Sequence, residues 1–114
     1  MQVKEKIITF FDALLSIFEG HNKPMYRLVM EYRHKIRNLI PEEQLLCEFK
    51  TFLSNSLVLS LIREYNLNVL IEVKKQFNSV IAQDIELLMD TCSQNNKKII
   101  WKWINSIANS VLNE

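Results

Sequence analysis

Apolar residues recur at spacings of three and four along most of the chain, which is the period of an amphipathic α-helix. The first stripe begins at Val3 and ends before Gly20, a residue type that commonly terminates helices. The second follows Pro24, which suits a first helical turn. Pro41 closes this segment and opens the next, because proline disfavours a helical residue before it. The pattern predicts consecutive helices joined by short turns.

Polar residues interrupt the stripes in the centre of the chain. After Ser54-Asn55-Ser56 the next apolar set would lie about 150° around the same helix, so we predict a break at these good capping residues. The stripe from Leu70 to Leu88 keeps helical spacing, although Asn78-Ser79 would kink or split it. Short loops are expected near residues 20–23, 40–41, 54–56, 66–68 and 91–95.

The composition agrees with an all-α fold. With one glycine and two prolines, the chain has few of the residues that β-hairpin turns require. Its 114 residues, of which 48% are hydrophobic, suffice for one core. We therefore predict a single helical domain over residues 1–114, a compact bundle of five or six helices. The residues expected to seed its core are Phe11, Leu14, Phe18, Phe49, Phe52, Phe77 and one tryptophan.

Both tryptophans lie in the C-terminal segment, where Trp103 shares a helical face with Ile100, Ile104, Ile107 and Val111. Trp101 points about 200° away from Trp103, so a single seam cannot bury both indoles. We expect Trp101, accompanied by Ala108 and partly by Leu112, to bind another protein chain, either a second copy or a different protein. The alternative is a central helix that buries both indoles within one monomer.

The helix expected between Lys23 and Arg37 has a basic face. Its candidate nucleic-acid contacts are Lys23, Arg27, Arg33, Lys35 and Arg37, with Tyr26 and Tyr32 between them. Two other interpretations are a solvated face, on which Glu31 pairs with Arg27 and Lys35, and a protein partner. The net charge of +1 predicts no bulk attraction to nucleic acid or anionic lipid.

The sequence offers no support for catalysis. His21 and His34 lack partners at metal-ligand spacing, and a single glycine excludes a glycine-rich phosphate cradle. Glu86 and Asp90, one helical turn apart, are typical of a solvated acidic face rather than an acid/base dyad. We expect a protein that is not an enzyme, with no catalytic, cofactor-binding or metal-binding residues.

Cys47 and Cys92 have no metal-ligand spacing, which favours buried free thiols in a reducing compartment over a disulfide or a reactive thiol. Asp12 interrupts the early apolar run and no small-residue cleavage site follows, so we expect an intracellular, unprocessed protein. No stretch reaches the roughly eighteen uncharged apolar residues that a membrane span requires.

Three segments carry a resemblance to a known group of proteins. They are Phe10–Glu19 (FFDALLSIFE), Phe49–Leu53 (FKTFL) and, most specifically, Asn96–Ile104 (NKKIIWKWI). Together they resemble small helical proteins of nucleocytoplasmic large DNA viruses, the giant and algal viruses, which often combine an early apolar segment with a late NK-x-x-IW-K/Q-Y/W helix. Where that pattern commonly places a proline after the early phenylalanine, this chain has Glu19.

The resemblance implies a viral protein without enzymatic activity, found in the host cytoplasm or the virus factory and packaged in the virion; the family supplies no catalytic residues. The abundance of Asn, Ile and Lys is typical of an A+T-rich genome. We therefore expect a virion structural or accessory component that acts through protein contacts. The alternatives are a nucleic-acid-binding module that uses the helix over residues 23–37, and a module with a groove for a host helix that blocks host signalling.

Overall fold

The computed structural model describes residues 2–114, and within this range the chain forms seven α-helices and no strand. The predicted all-α fold is confirmed, with seven helices instead of five or six. The helices are α1 (Val3–Phe18), α2 (Lys23–Asn38), α3 (Glu42–Leu53), α4 (Ser56–Arg63), α5 (Val69–Gln76), α6 (Ser79–Thr91) and α7 (Gln94–Leu112).

Polar side chains begin several of these helices where the sequence predicts breaks. The Asn22 Oδ1 accepts a hydrogen bond from the Met25 amide at 3.0 Å, and the Asn55 Oδ1 accepts one from the Leu57 amide at 2.9 Å. Each bond satisfies an amide that a helix N-terminus otherwise leaves unpaired. At the end of α1, Gly20 has φ +75°, the left-handed conformation that glycine adopts at low cost.

The seventh helix arises at Asn78, where the long predicted stripe splits. The Asn78 Oδ1 accepts a hydrogen bond from the Ile81 amide at 2.8 Å and thereby starts α6. Phe77 before it has φ −108° and ψ −88°, outside the helical region, so α5 ends there. Of the two outcomes predicted at Asn78-Ser79, a kink or a split, the structure shows the split.

α7 lies at the centre of the molecule and packs against α1, α3 and α4, while α1 also packs along α2. α5 and α6 pack mainly against each other, and α5 also contacts α4. α3 and α4 are bent by 90° relative to each other at their junction, so the chain turns around α7. The largest of the fully buried side chains are Val3, Leu14, Val58, Ile100 and Val111.

Two lysines of α1 tie it to other parts of the bundle. The Lys4 amide donates to the Glu42 carboxylate at 3.2 Å and 3.4 Å, and Lys4 Nζ donates to the Ile40 carbonyl at 2.8 Å. Lys6 Nζ donates to Ser110 Oγ of α7 at 2.7 Å. The negative charge of Glu42 therefore lies at the positive end of the α1 dipole, where it is favourable.

The predicted core residues divide into two groups. Leu14 and Phe18 are buried as expected. The sequence placed Phe11 in the core as well, but in the structure its neighbour Phe10 is buried and Phe11 is half-buried. The other three phenylalanines are half-buried and form an aromatic cluster between α3 and the C-terminal end of α5. Its members are Phe49, Phe52 and Phe77, with ring centroids 6.5 Å apart for Phe49–Phe77 and 5.4 Å for Phe52–Phe77.

Within residues 2–114, no single helix is long and apolar enough to cross a membrane. α3 and α4 together reach the required length and composition, but the 90° bend separates them.

Candidate functional site

The structure places two of the three residues expected to bind a partner inside the molecule. Trp101 and Ala108 are buried, with 6% and 4% of their surface exposed, whereas Leu112 is 46% exposed. The prediction that Trp101 lies off the packed face of α7 is therefore wrong. The alternative interpretation, a central helix that buries both indoles within one monomer, holds for Trp101, whereas Trp103 is half-buried.

Trp101 is buried because the chain after α4 folds back over it. The Tyr65 ring stacks on the indole with centroids 5.7 Å apart and planes 6° from parallel. Tyr65 has φ +55°, the left-handed region that few residues other than glycine adopt. Its amide donates to the Ile62 carbonyl and the Asn66 amide donates to the Leu61 carbonyl, the pair of bonds that defines a Schellman C-cap.

Trp103 packs on the other side of α7, against α1. Its ring stacks on Phe10 with centroids 5.8 Å apart, and the side chain is half-buried. Trp101 therefore contacts the α4–α5 connection and Trp103 contacts α1, so the two indoles do not compete for one seam. Asn105 links α7 to the end of α4, because its Nδ2 donates to the Ile62 carbonyl at 3.0 Å and its Oδ1 accepts from Arg63 at 2.7 Å.

The candidate nucleic-acid residues of α2 fall into two groups. Lys23, Arg27 and Arg37 are exposed and lie on the face of α2 opposite its buried residues, together with His34. Met30 lies in the middle of this face and is 45% exposed. We call these five residues the basic stripe.

Arg33 and Lys35 flank the basic stripe and contact other side chains of the same molecule. Arg33 Nε donates to the Asp12 carboxylate of α1 at 2.7 Å, and Lys35 Nζ lies 5.4 Å from the centre of the Tyr32 ring. In the part of the chain that the structure describes, Glu31 forms no salt bridge, so the predicted pairing with Arg27 and Lys35 is absent there. Arg27 is accordingly available for contacts outside the monomer.

A hydrogen bond joins α2 to α6. The Tyr32 hydroxyl donates to the Asp84 carboxylate at 2.6 Å. Burial of the ring raises the pKa of Tyr32 far above its usual range, and the hydrogen bond and negative charge of Asp84 raise it further. Asp84 is therefore occupied within the monomer, while Glu86 and Asp90 of the same helix are exposed to solvent.

The remaining titratable side chains do not converge on a site. His21 is exposed, and His34 contacts the Asn38 amide through Nδ1 at 3.0 Å. No three His, Cys, Asp or Glu side chains among residues 2–114 are grouped so that they could hold a metal ion. Cys92 is buried, as expected, and burial raises the pKa of its thiol, but Cys47 is exposed, contrary to the prediction.

Two open depressions occur on the described surface. One, of about 230 Å³, lies at the α1–α2 turn between Phe18, Lys23 and Arg27. The other, of about 510 Å³, lies between α1 and the end of α2 and is lined largely by polar and charged side chains, including Lys4, Asp12, Arg33 and Arg37. Both are shallow and wide, so they do not enclose a small molecule as ligand pockets do.

α5 and α6 carry most of the strongly exposed large apolar residues of the described chain. Five large apolar residues of the described chain are more than half exposed, and three of them, Ile71, Val80 and Leu87, belong to this helix pair. Val80 and Leu87 are two turns apart and lie on one face of α6. We did not predict this face from the sequence, in which Glu86 and Asp90 indicated only a solvated acidic face on this helix.

No protein-family model matches this chain, and no curated protein or solved structure matches it significantly.

Proposed function

We propose that this protein acts through contacts with other protein chains, as a structural or accessory component of a virus particle, and that α6 carries its main contact surface. The observation that supports this proposal is the exposure of Val80 and Leu87, 62% and 54%, on one face of α6. Exposed apolar residues grouped on one face are typical of protein interaction sites. The viral context rests on the resemblance of the three segments described above, of which Asn96–Ile104 is the most specific.

The proposed contact surface is tested with two leucine substitutions of equal exposure. Leu87 and Leu57 are both 54% exposed, but Leu57 lies on α4 and serves as the control. We expect Leu87→Gln to weaken association, measured by analytical ultracentrifugation, with the thermal melting of the monomer unchanged. We expect Leu57→Gln to behave as the parent protein. Equal association of both variants and the parent would contradict the role of α6.

The viral role requires a separate experiment. We expect mass spectrometry of purified virus particles to detect the protein, and cross-linking from a photoreactive residue at position 87 to capture a neighbouring chain within the particle. The same residue at position 57 is the control. Absence of the protein from purified particles would contradict the role as a virion component.

A second candidate function is nucleic-acid binding by α2. The exposed cations Lys23, Arg27 and Arg37 on one helix face support it, because such a row can contact successive phosphates. Binding to a labelled oligonucleotide that weakens steeply as salt rises, and that is lost in Arg27→Glu, would favour this function over protein contact.

A further inference from the structure

We propose that the partner of the exposed α6 face is the basic stripe on α2 of a second copy of this chain. This inference rests on the proposed function and adds the identity of the partner surface. It is drawn from the charges of the two helices and from the apolar residue at the centre of each exposed face.

The two helices carry opposite charge in a chain that is nearly neutral. α2 contains five lysine or arginine residues and one acidic residue, whereas α6 contains three acidic residues and no lysine or arginine. When Lys and Arg are counted against Asp and Glu, α2 is the most positive of the seven helices and α6 is the most negative. Charge complementarity of this kind orients two copies and suppresses other pairings.

Each exposed face also has an apolar residue among its charges. Met30 is 45% exposed between Arg27 and His34 on α2, and Leu87 is 54% exposed between Glu86 and Asp90 on α6. A protein interface with an apolar centre and a charged rim has this composition. Nucleic-acid phosphates would contact the cations of α2 but would gain nothing from Met30, which favours a protein partner.

The spacing of these residues fits an antiparallel crossing of the two helices. When Met30 of one copy meets Leu87 of the other, Arg27 faces Asp90, because both pairs are separated by three residues, about 4.5 Å of helix. In the other direction Arg37 faces Val80, since each lies seven residues from the apolar centre. The aliphatic stem of Arg37 covers Val80 while its guanidinium stays in solvent.

The test is a charge swap between Arg27 and Asp90 in the full chain, measured by sedimentation equilibrium at low salt. We expect Arg27→Glu and Asp90→Lys each to weaken self-association about tenfold or more, because each replaces an attraction by a repulsion. The double variant restores the pair in reverse and should recover most of the lost affinity. In an equimolar mixture of the two single variants, positions 27 and 90 carry opposite charges only where the two variants meet, so mixed complexes should form.

Control substitutions separate this contact from general effects of charge. Asp90 lies in the last turn of α6, where lysine suits the helix dipole, so Asp90→Lys keeps the monomer folded. Glu64→Lys changes an exposed acid at the C-terminal cap of α4 in the same way, and Lys98→Glu changes an exposed base near the start of α7. Both controls should associate as the parent does, and circular dichroism should be unchanged in all variants.

Several results would overturn the proposal. A parent protein that stays monomeric at high concentration and low salt, or a double variant no stronger than the single variants, contradicts the contact. A monomeric parent that binds a labelled oligonucleotide through Arg27 assigns the basic stripe to nucleic acid instead. If Leu87→Gln abolishes association while the charge swap has no effect, the proposed function stands and only the partner surface named above is wrong.

Discussion

At position 65 a tyrosine occupies a backbone conformation that proteins usually give to glycine. With φ +55° it costs roughly 1–2 kcal/mol relative to the ordinary helical region. Two interactions offset this cost: the Tyr65 amide takes part in the hydrogen bonds that end α4, and the Tyr65 ring stacks on Trp101. The exposed fraction of Tyr65 is 41%, so more than half of the side chain is covered.

We expect Tyr65→Gly to destabilise the protein despite the relief of backbone strain. The lost ring removes an aromatic pair worth about 0.5–1.5 kcal/mol and the burial of most of a tyrosine, so the net loss should be about 1–2 kcal/mol. Urea denaturation measures the loss, and the emission of Trp101 should shift to longer wavelength. Tyr65→Phe, which keeps the ring, is the control. A glycine variant more stable than the parent would show that strain outweighs the stacking.

At the scale of the element, a side chain at the helix start decides whether α6 exists as a separate helix. Asn78 bonds the Ile81 amide, whereas Asn68, at the corresponding position of α5, makes no capping bond with its side chain. The two asparagines therefore provide a matched pair in neighbouring helices.

We expect Asn78→Ala to reduce the free energy of unfolding by about 1 kcal/mol, because an amide at the start of α6 loses its partner. Asn68→Ala should change it much less. Chemical denaturation gives both free energies of unfolding. Similar losses for the two variants would show that the Asn78 side chain stabilises the protein no more than the Asn68 side chain does.

The contact between α2 and α6 makes stability depend on alkaline pH. The folded pKa of Tyr32 lies above that of an unfolded tyrosine, about 10, so the neutral phenol is favoured in the folded protein. The stability that Tyr32 contributes through this shift is complete below about pH 10 and is lost as the pH rises from there towards the folded pKa. We expect the urea concentration at the unfolding midpoint to fall less steeply above about pH 10 in Tyr32→Phe than in the parent. Tyr26→Phe is the control, and an unchanged slope in Tyr32→Phe would contradict this assignment.

At the scale of the whole molecule, the core is divided unequally. The main cluster surrounds α7, whereas Leu70, Val73 and Ala82 form a separate small cluster between α5 and α6. Phe52 and Ile85 contact both clusters, and Phe77 contacts the small one from the aromatic cluster. A region with few buried apolar contacts opens locally at lower free energy than the main core.

We expect amide hydrogens of α5 and α6 to exchange faster than those of α1 and α7. Phe77→Ala should accelerate exchange in α5 and α6 selectively, because it removes the ring that packs against Phe49 and Phe52. Ile100→Ala, in the main core, should accelerate exchange throughout the chain. Hydrogen exchange followed by mass spectrometry distinguishes these patterns, and uniform acceleration by Phe77→Ala would contradict the division of the core.

The amino-acid sequence by itself determined where most helices begin and end and which apolar stripe of α1 faces the core, but not which ring of the Phe10–Phe11 pair is buried. These features depend on local interactions, since glycine at position 20, asparagine at positions 22, 55 and 78, and the three-and-four spacing of apolar residues act within one or two turns. The exposure of Lys23, Arg27 and Arg37 followed from the same periodicity.

Only the tertiary structure decided which indole of α7 is more deeply buried. Helical periodicity gives the angle between Trp101 and Trp103, but it does not say how many neighbours the helix has. α7 has α1 on one side and the α4–α5 connection on the other. The buried part of its surface therefore includes Trp101 and Ala108, and Trp103 lies near the boundary of that part. Such contacts join residues far apart in the chain, and no local pattern specifies them.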